Sequence, residues 1–150
     1  MAQASSTPDL TRGPQRILVG FDGSDPSQRA ARLALAWGRA AEASVWIVHA
    51  GETPRAVAEP RTDEEQGMAT AAIADALTDL TRYAESLAIP TTVWVRDGPP
   101  ARVLLDAASE MKADLIIVGT RGLRGPARVL LGSVSSAVLS RAGRPVLVVP

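Results

Sequence analysis

The residues of this chain best suited to chemistry are glycines and a serine, not acids, bases or thiols. Gly119, two residues, Gly122, nine residues and then Gly132-Ser133 follow the apolar run Leu115-Ile-Ile-Val118 and precede a short helical pattern that opens with Val134. Glycine lets a backbone take positive φ and approach a ligand without a Cβ in the way. The first turn of a helix adds unpaired N–H groups at the positive end of its dipole. Together these features suit a phosphate, with the Ser133 hydroxyl as a further donor. Spacing alone supports equally a reading in which the glycines serve two turns and Ser133 caps a helix. The local charge favours an anion. From Leu115 to Pro150 there is no Asp or Glu, whereas Arg121, Arg124, Arg128, Arg141 and Arg144 all fall there, in a chain whose 16 basic and 16 acidic side chains cancel.

Asp22 is the second candidate. In Gly20-Phe21-Asp22-Gly-Ser24 it directly follows an apolar run. A carboxylate there can accept a hydrogen bond from a ribose hydroxyl or help hold a phosphate-bound Mg²⁺. As a local feature the same residue makes an Asx turn, with Ser24 or Asp25 capping the next helix. His49, the single histidine, has no Ser or Cys partner in a recognisable nucleophile motif. It reads as a packed, hydrogen-bonded residue, and no catalytic residue is assigned. Arg121 lies inside the first glycine turn, and Arg124 and Arg128 in the nine-residue segment. They could bind a β- or γ-phosphate or simply be solvated. Arg141 and Arg144 complement the dipole at the end of the last helix. Without cysteine, and with one histidine, thiolate and imidazole clusters are excluded, and no metal site is assigned. The acidic run Asp63-Glu64-Glu65 suits a helix N-terminus. Trp37, Trp46 and Trp94 lie on apolar stripes or strands, and zero net charge argues against a nucleic-acid surface.

For these residues to meet, strands and helices must alternate. Ile17–Gly20, Val45–Val48, Thr92–Val95, Leu115–Val118 and Val146–Val149 are short, nearly continuous and β-branched, which predicts strands covered on both faces. After the first, Asp25-Pro-Ser-Gln28 has the layout of a capping box with Pro at the first helical position, and Ala30, Leu33, Ala34 and Trp37 form an apolar stripe ending near Glu42. Ile73, Leu77, Leu80, Ala84 and Leu87 predict a long helix over about 64–88, preceded by an exposed, mobile loop from Gly51 to Asp63. The third helix follows Gly98-Pro-Pro100 and buries Val103, Leu104, Ala107 and Met111. The fourth starts at Ser133, buries Val134, Ala137 and Val138, and stops before Gly143 and Pro145. The expected fold is therefore α/β, a single three-layer domain over 15–150 with a parallel sheet and helices on both faces, behind a flexible lead-in of residues 1–14. In such sheets a ligand sits beyond the carboxyl ends of strands whose connections diverge, which directs attention to Gly20–Ser24 and Gly119–Gly122. The N-terminus lacks a signal peptide's apolar segment and no run approaches the roughly 20 apolar residues of a membrane helix, so a soluble cytoplasmic protein is expected, without membrane or nucleic-acid partners.

The glycine spacing, its place between the fourth and fifth strands, the opening ILVGFDGSDPSQRAARLALAWG and the ending RPVLVVP resemble the universal stress protein family, and more narrowly its ATP-binding branch. The resemblance spans about residues 16–150. It implies a five-stranded, Rossmann-like parallel sheet in order 3-2-1-4-5, ATP, with or without Mg²⁺, at the switch between strands one and four, and a homodimer. It also implies backbone contacts to the nucleotide from Gly20, Phe21, Ala50, Val118 and Gly119, beside Asp22, Arg121, Gly122, Gly132, Ser133 and Val134. The final strand, if it lies at the sheet edge, needs a cover, and a second copy of the chain is the expected one. No base or water-positioning group stands out, so the expected function is a nucleotide-responsive regulatory, stress-resistance module. The alternatives are a weak ATPase or nucleotidyl-transfer enzyme and an interaction module with a vestigial pocket.

Overall fold

Short β-branched runs too apolar to face water, separated by helices with one apolar face, assemble into a sheet sandwiched between two helical layers. The computed structural model describes residues 11–51, 63–120 and 131–150. Most of the expected lead-in and most of the Gly51–Asp63 loop lie outside the described residues, as do Arg121, Gly122, Arg124 and Arg128. The elements are β1 (Arg16–Gly20), α1 (Asp25–Ala41), β2 (Ser44–Gly51), α2 (Asp63–Ser86), β3 (Thr91–Asp97), α3 (Pro100–Glu110), β4 (Leu115–Gly119), α4 (Ser133–Arg141) and β5 (Val146–Val149). All strand pairs are parallel, in the order β3-β2-β1-β4-β5. Alternate residues face opposite layers. Ile17, Val19, Val45, Ile47, Leu115 and Ile117 pack with α1 and α2, whereas Leu18, Val48, Ile116 and Val118 pack with α3 and α4.

Coverage on both faces holds for β1 and β4 but not for the edges. In β3 no residue is fully buried and Val95 is 62% exposed, while all of Val146–Val149 is only half-buried. An edge strand has one neighbour, and the helical layers centre on the middle of the sheet. The apolar face of α1 is also turned from the expected stripe. Ala30 and Ala34 are buried, but Ala31, Leu35 and Gly38 complete the face, Leu33 is half-buried, and Trp37 is 41% exposed. Small residues win the contact because they let the helix lie close to the sheet: a Cβ on Gly38 would sit 2.6 Å from Val45 Cγ2. Arg29, Leu33 and Trp37 share the flank of α1 beside β5, where Arg29 Nε donates to Pro150 O at 2.6 Å.

The helix ends differ from expectation by a residue or so. Ser24, not Asp25, is the N-cap of α1: its Oγ accepts from Ser27 N (3.3 Å), which places Pro26 one position later, and Glu42 closes the helix in the left-handed conformation. Gly132 is the N-cap of α4 and Ser133 its first residue, while Val134 and Ala137 are only half-buried. Arg144 does more than complement the α4 dipole. Its Nη1 donates to Ala108 O (2.7 Å) and Ala113 O (2.9 Å), and its Nε to Ala142 O (3.1 Å), tying the end of α3 to the end of α4. At the amino end of the sheet, Asp114 Oδ2 accepts from Gln15 N and Arg16 N (3.0 and 2.9 Å), so one carboxylate sets the relative height of β1 and β4. Arg96 lies over the Trp94 ring (4.1 Å) and donates to Glu110 (2.6 Å), linking β3 to α3 and holding the Glu110 carboxyl below its ordinary range.

Replacing a helix glycine by alanine ordinarily stabilises by roughly 0.5–1 kcal/mol. For Gly38→Ala the sign is expected to reverse, because overpacking a filled core costs about 1–3 kcal/mol. A thermal melt lowered by several degrees is the expected result.

Candidate functional site

The two ends of the sheet are chemically different, and the candidates gather at the carboxyl end. The connection leaving β1 enters α1 on one face of the sheet, and that leaving β4 leads to α4 on the other. Since β1 and β4 are neighbours, the chain diverges between them and opens a crevice there. Gly20, Phe21 and Asp22 stand at the end of β1, Ala50 near the end of β2, Val118 and Gly119 at the end of β4, and Gly132, Ser133 and Val134 at the start of α4. Arg121 and Gly122 lie outside the described residues.

The strand ends are fixed by backbone bonds. Phe21 is buried; its N–H donates to Val48 O (2.9 Å) and its carbonyl accepts from His49 Nδ1 (2.8 Å). A carbonyl can only accept, so Nδ1 carries the proton. His49 thus has the hydrogen-bonded role read from the sequence. Asp22 forms the Asx turn, with Oδ1 accepting from Ser24 N (2.9 Å), and its own N–H reaches Ser27 Oγ (3.3 Å). Its other carboxylate oxygen has no partner among the described residues. Both glycines at the strand ends are closely packed, Gly20 against the tip of a leucine side chain that can shift and Gly119 against backbone and proline atoms that cannot readily do so. A Cβ on Gly20 would lie 2.9 Å from Leu104 Cδ1, and one on Gly119 would meet Pro26 Cβ at 2.8 Å and Ser27 N at 2.9 Å. Gly119 therefore brings the end of β4 against the first turn of α1, a reason distinct from leaving room for a ligand.

On the far side of the crevice, Thr120 N donates to Val149 O (2.7 Å) and Gly132 N to Thr120 O (2.5 Å). The buried Ser135 Oγ lies 3.0 Å from both Thr120 O and Gly132 O and shares its proton between them. These bonds close the base of the segment between Thr120 and Gly132. Neither Thr120 nor Ser135 stood out in the sequence. A buried serine three residues inside a helix was the available signal, but its partner is 15 residues away.

The helix N-termini flanking the crevice are not equivalent. That of α1 is closed by its own residues, with Ser24 capping Ser27, Gln28 N bonded to Ser24 O, and Pro26 lacking an N–H. That of α4 has no side-chain cap, because its cap residue is Gly132. Ser136 N reaches Gly132 O (3.0 Å), whereas the N–H groups of Ser133, Val134 and Ser135 have no backbone or side-chain acceptor among the described residues. The Ser133 hydroxyl is exposed and likewise without a partner there. The arrangement can accept an anion at α4 and offers at β1 one carboxylate oxygen that has no partner among the described residues. Among the described residues there is no cluster of three or more metal-ligating side chains, and no helix is long and apolar enough to cross a membrane.

Comparison with known proteins agrees with this architecture. Residues 14–150 match the model of the universal stress protein family. A universal stress protein of Thermus aquaticus is 39% identical over 140 residues, covering 89% of this chain and 96% of the relative. The crystal structure of a universal stress protein in complex with cAMP is 32% identical, with a TM-score of 0.69 and coverage of 92% of this chain and 98% of that one. A Lactobacillus plantarum universal stress protein, 24% identical, shares the fold with a TM-score of 0.73 over 93% of this chain and 99% of that one.

Because Gly119 meets backbone and proline atoms and not a flexible side chain, Gly119→Ala is expected to destabilise the ligand-free protein by about 2–3 kcal/mol. The check is a denaturant titration without nucleotide. Unchanged stability would mean that the end of β4 can move away from α1 freely.

Proposed function

The chain belongs to the universal stress protein family, and from that premise we propose that residues 15–150, behind the lead-in 1–14, form an adenine-nucleotide-binding regulatory module that takes ATP. The observation that carries the reading is the uncapped N-terminus of α4, set beside Gly132 in an acid-free stretch of chain. Its first-turn N–H groups and the Ser133 hydroxyl suit a phosphate. Asp22, with one carboxylate oxygen committed to the turn, keeps another to accept from a ribose hydroxyl. Gly20, Phe21, Ala50, Val118, Gly119 and Val134 would supply the walls, and Arg121 and Gly122 further phosphate contacts. The 32%-identical relative that binds cAMP supports an adenine nucleotide as the ligand class. Arg121, Arg124 and Arg128 in the same segment favour a polyphosphate over a cyclic monophosphate. Mg²⁺, where it accompanies ATP, would be held chiefly by the phosphates, with Asp22 as the protein oxygen nearest in kind.

Rapid turnover is not part of this reading. Asp22 and His49, the titratable side chains at the carboxyl ends of β1 and β2, each have an atom committed to a backbone group. Binding then acts by favouring one conformation or contact over another. A protein that answers to ATP works where ATP is made and spent, which assigns it to the cytoplasm.

The working form in this proposal is a homodimer through β5. That edge strand is half-buried along its whole length, and the two helices that contact it, α1 and α4, carry the exposed apolar side chains Trp37 and Leu139 (50% exposed). Exposed apolar surface flanking an unpaired strand edge favours a second strand of the same kind.

Calorimetry is expected to give saturable ATP binding, weakened at least tenfold by Gly132→Val, which puts a branched Cβ at the mouth of the α4 N-terminus. No heat from ATP at millimolar concentration would overturn the nucleotide reading. For the dimer, Leu139→Asp is expected to shift sedimentation from dimer to monomer without changing the circular dichroism spectrum, because Leu139 contributes little to the core. A wild-type monomer at micromolar concentration would overturn it.

A further inference from the structure

His49 bonds to the residue immediately before Asp22. Its Nδ1–H holds the Phe21 carbonyl at 2.8 Å while Val48 O holds the Phe21 N–H at 2.9 Å. The peptide unit joining Phe21 to Asp22 is therefore gripped at its oxygen by His49 and at its nitrogen by Ser27 Oγ (3.3 Å). A peptide unit is planar, so fixing its oxygen and its nitrogen fixes its orientation and with it the Asp22 N–Cα bond, about which φ alone is left to turn the side chain. The Asx bond from Ser24 N to Asp22 Oδ1 (2.9 Å) then sets the rotation of the carboxylate. The side chain of Phe21 cannot take over this task, since it is buried among apolar neighbours and has no polar atom.

We propose that His49 is a positioning residue for ligand recognition: by donating from Nδ1 to the Phe21 carbonyl it aims the free oxygen of Asp22 at the ribose hydroxyls of the bound nucleotide. The inference rests on the nucleotide reading above and adds to it a division of labour. Asp22 touches the ligand and His49 acts through it. In place of a catalytic base at the end of β2 there is a backbone clamp, which explains why the ring has no nucleophile to serve. The clamp should contribute to discrimination between ribose and sugars lacking hydroxyls, and very little to phosphate affinity.

The test compares ATP with 2′,3′-dideoxy-ATP by calorimetry in the wild type, Asp22→Ala, His49→Leu, His49→Gln, His49→Asn and the double variant Asp22→Ala/His49→Leu. A hydrogen bond from a hydroxyl to a charged carboxylate predicts a wild-type preference for ATP of about tenfold or more. His49→Leu, and His49→Gln, whose amide nitrogen lies one bond further out, are expected to lose most of that preference. His49→Asn, whose amide nitrogen hangs from Cγ as Nδ1 does, is expected to retain it. Losses from Asp22→Ala and His49→Leu should not add in the double variant, because each removes the same contact. Should His49→Leu fail to fold, the Gln and Asn pair carries the comparison. If the Leu and Gln variants melt lower yet keep the ATP preference, or if the losses add, His49 is structural only and the positioning role is overturned while the nucleotide reading stands. A wild type that binds ATP without preferring it over the dideoxy analogue overturns the role of Asp22 and that of His49 together. A wild type that binds neither overturns the nucleotide reading as well.

Discussion

The approach of Gly119 to Pro26 and Ser27 is the constraint on which the carboxyl end of the sheet, the proposed ligand end, depends. It brings the end of β4 against the first turn of α1, so that two segments leaving the sheet on opposite faces begin side by side. A side chain at that position would push them apart and widen the crevice before any ligand entered. The same economy of volume operates at Gly20 under Leu104 and at Gly38 over Val45. Ala30, Ala31 and Ala34 extend it along α1. With a core poor in rings, closeness replaces bulk: the helices gain dispersion contacts by lying near the sheet, and three glycines set how near.

How much of this was legible in the sequence depends on the distance over which each feature is decided. Strand and helix alternation was visible in the runs themselves, because a period of 2 or 3.6 is a local property. Strand order was not, and it came from a resemblance. Edge status is a property of the whole sheet, which is why the apolar run of β5 and the Val93-Trp94-Val95 run of β3 proved to be partly exposed. The turn of α1 that brings Trp37 outward has the same origin: hydrophobicity favours Trp37 over Gly38, and only the proximity of Val45 reverses the choice.

The site was legible to a similar degree. Placing Gly20–Asp22 and Gly132–Val134 at one end of the sheet needed only their positions at the end of β1 and the start of α4. The contacts that hold them could not be read in the same way. Ser24 and Asp25 are both able caps, and the geometry of the Asx turn at Asp22 selects Ser24. Arg144 finds its acceptors 36 and 31 residues back along the chain, and Asp114 caps β1 across 98 and 99 residues. Such pairings are invisible to spacing, yet they hold the amino end of the sheet and the ends of α3 and α4 while the carboxyl end is left for recognition.

The closed base between Thr120 and Gly132 has a consequence for how this protein could change over time. Because the Gly132-to-Thr120 bond and the shared proton of Ser135 already bring the ends together, the scaffold does not rely on the intervening residues to complete the sheet. The closure entropy of such a segment grows only slowly with its length. What the described residues supply is the anchoring of Thr120 and Gly132, the two points from which that connection leaves and returns. In evolutionary terms the anchors and the chain between them can be selected separately: substitutions that keep Thr120, Gly132 and Ser135 leave the closed base intact.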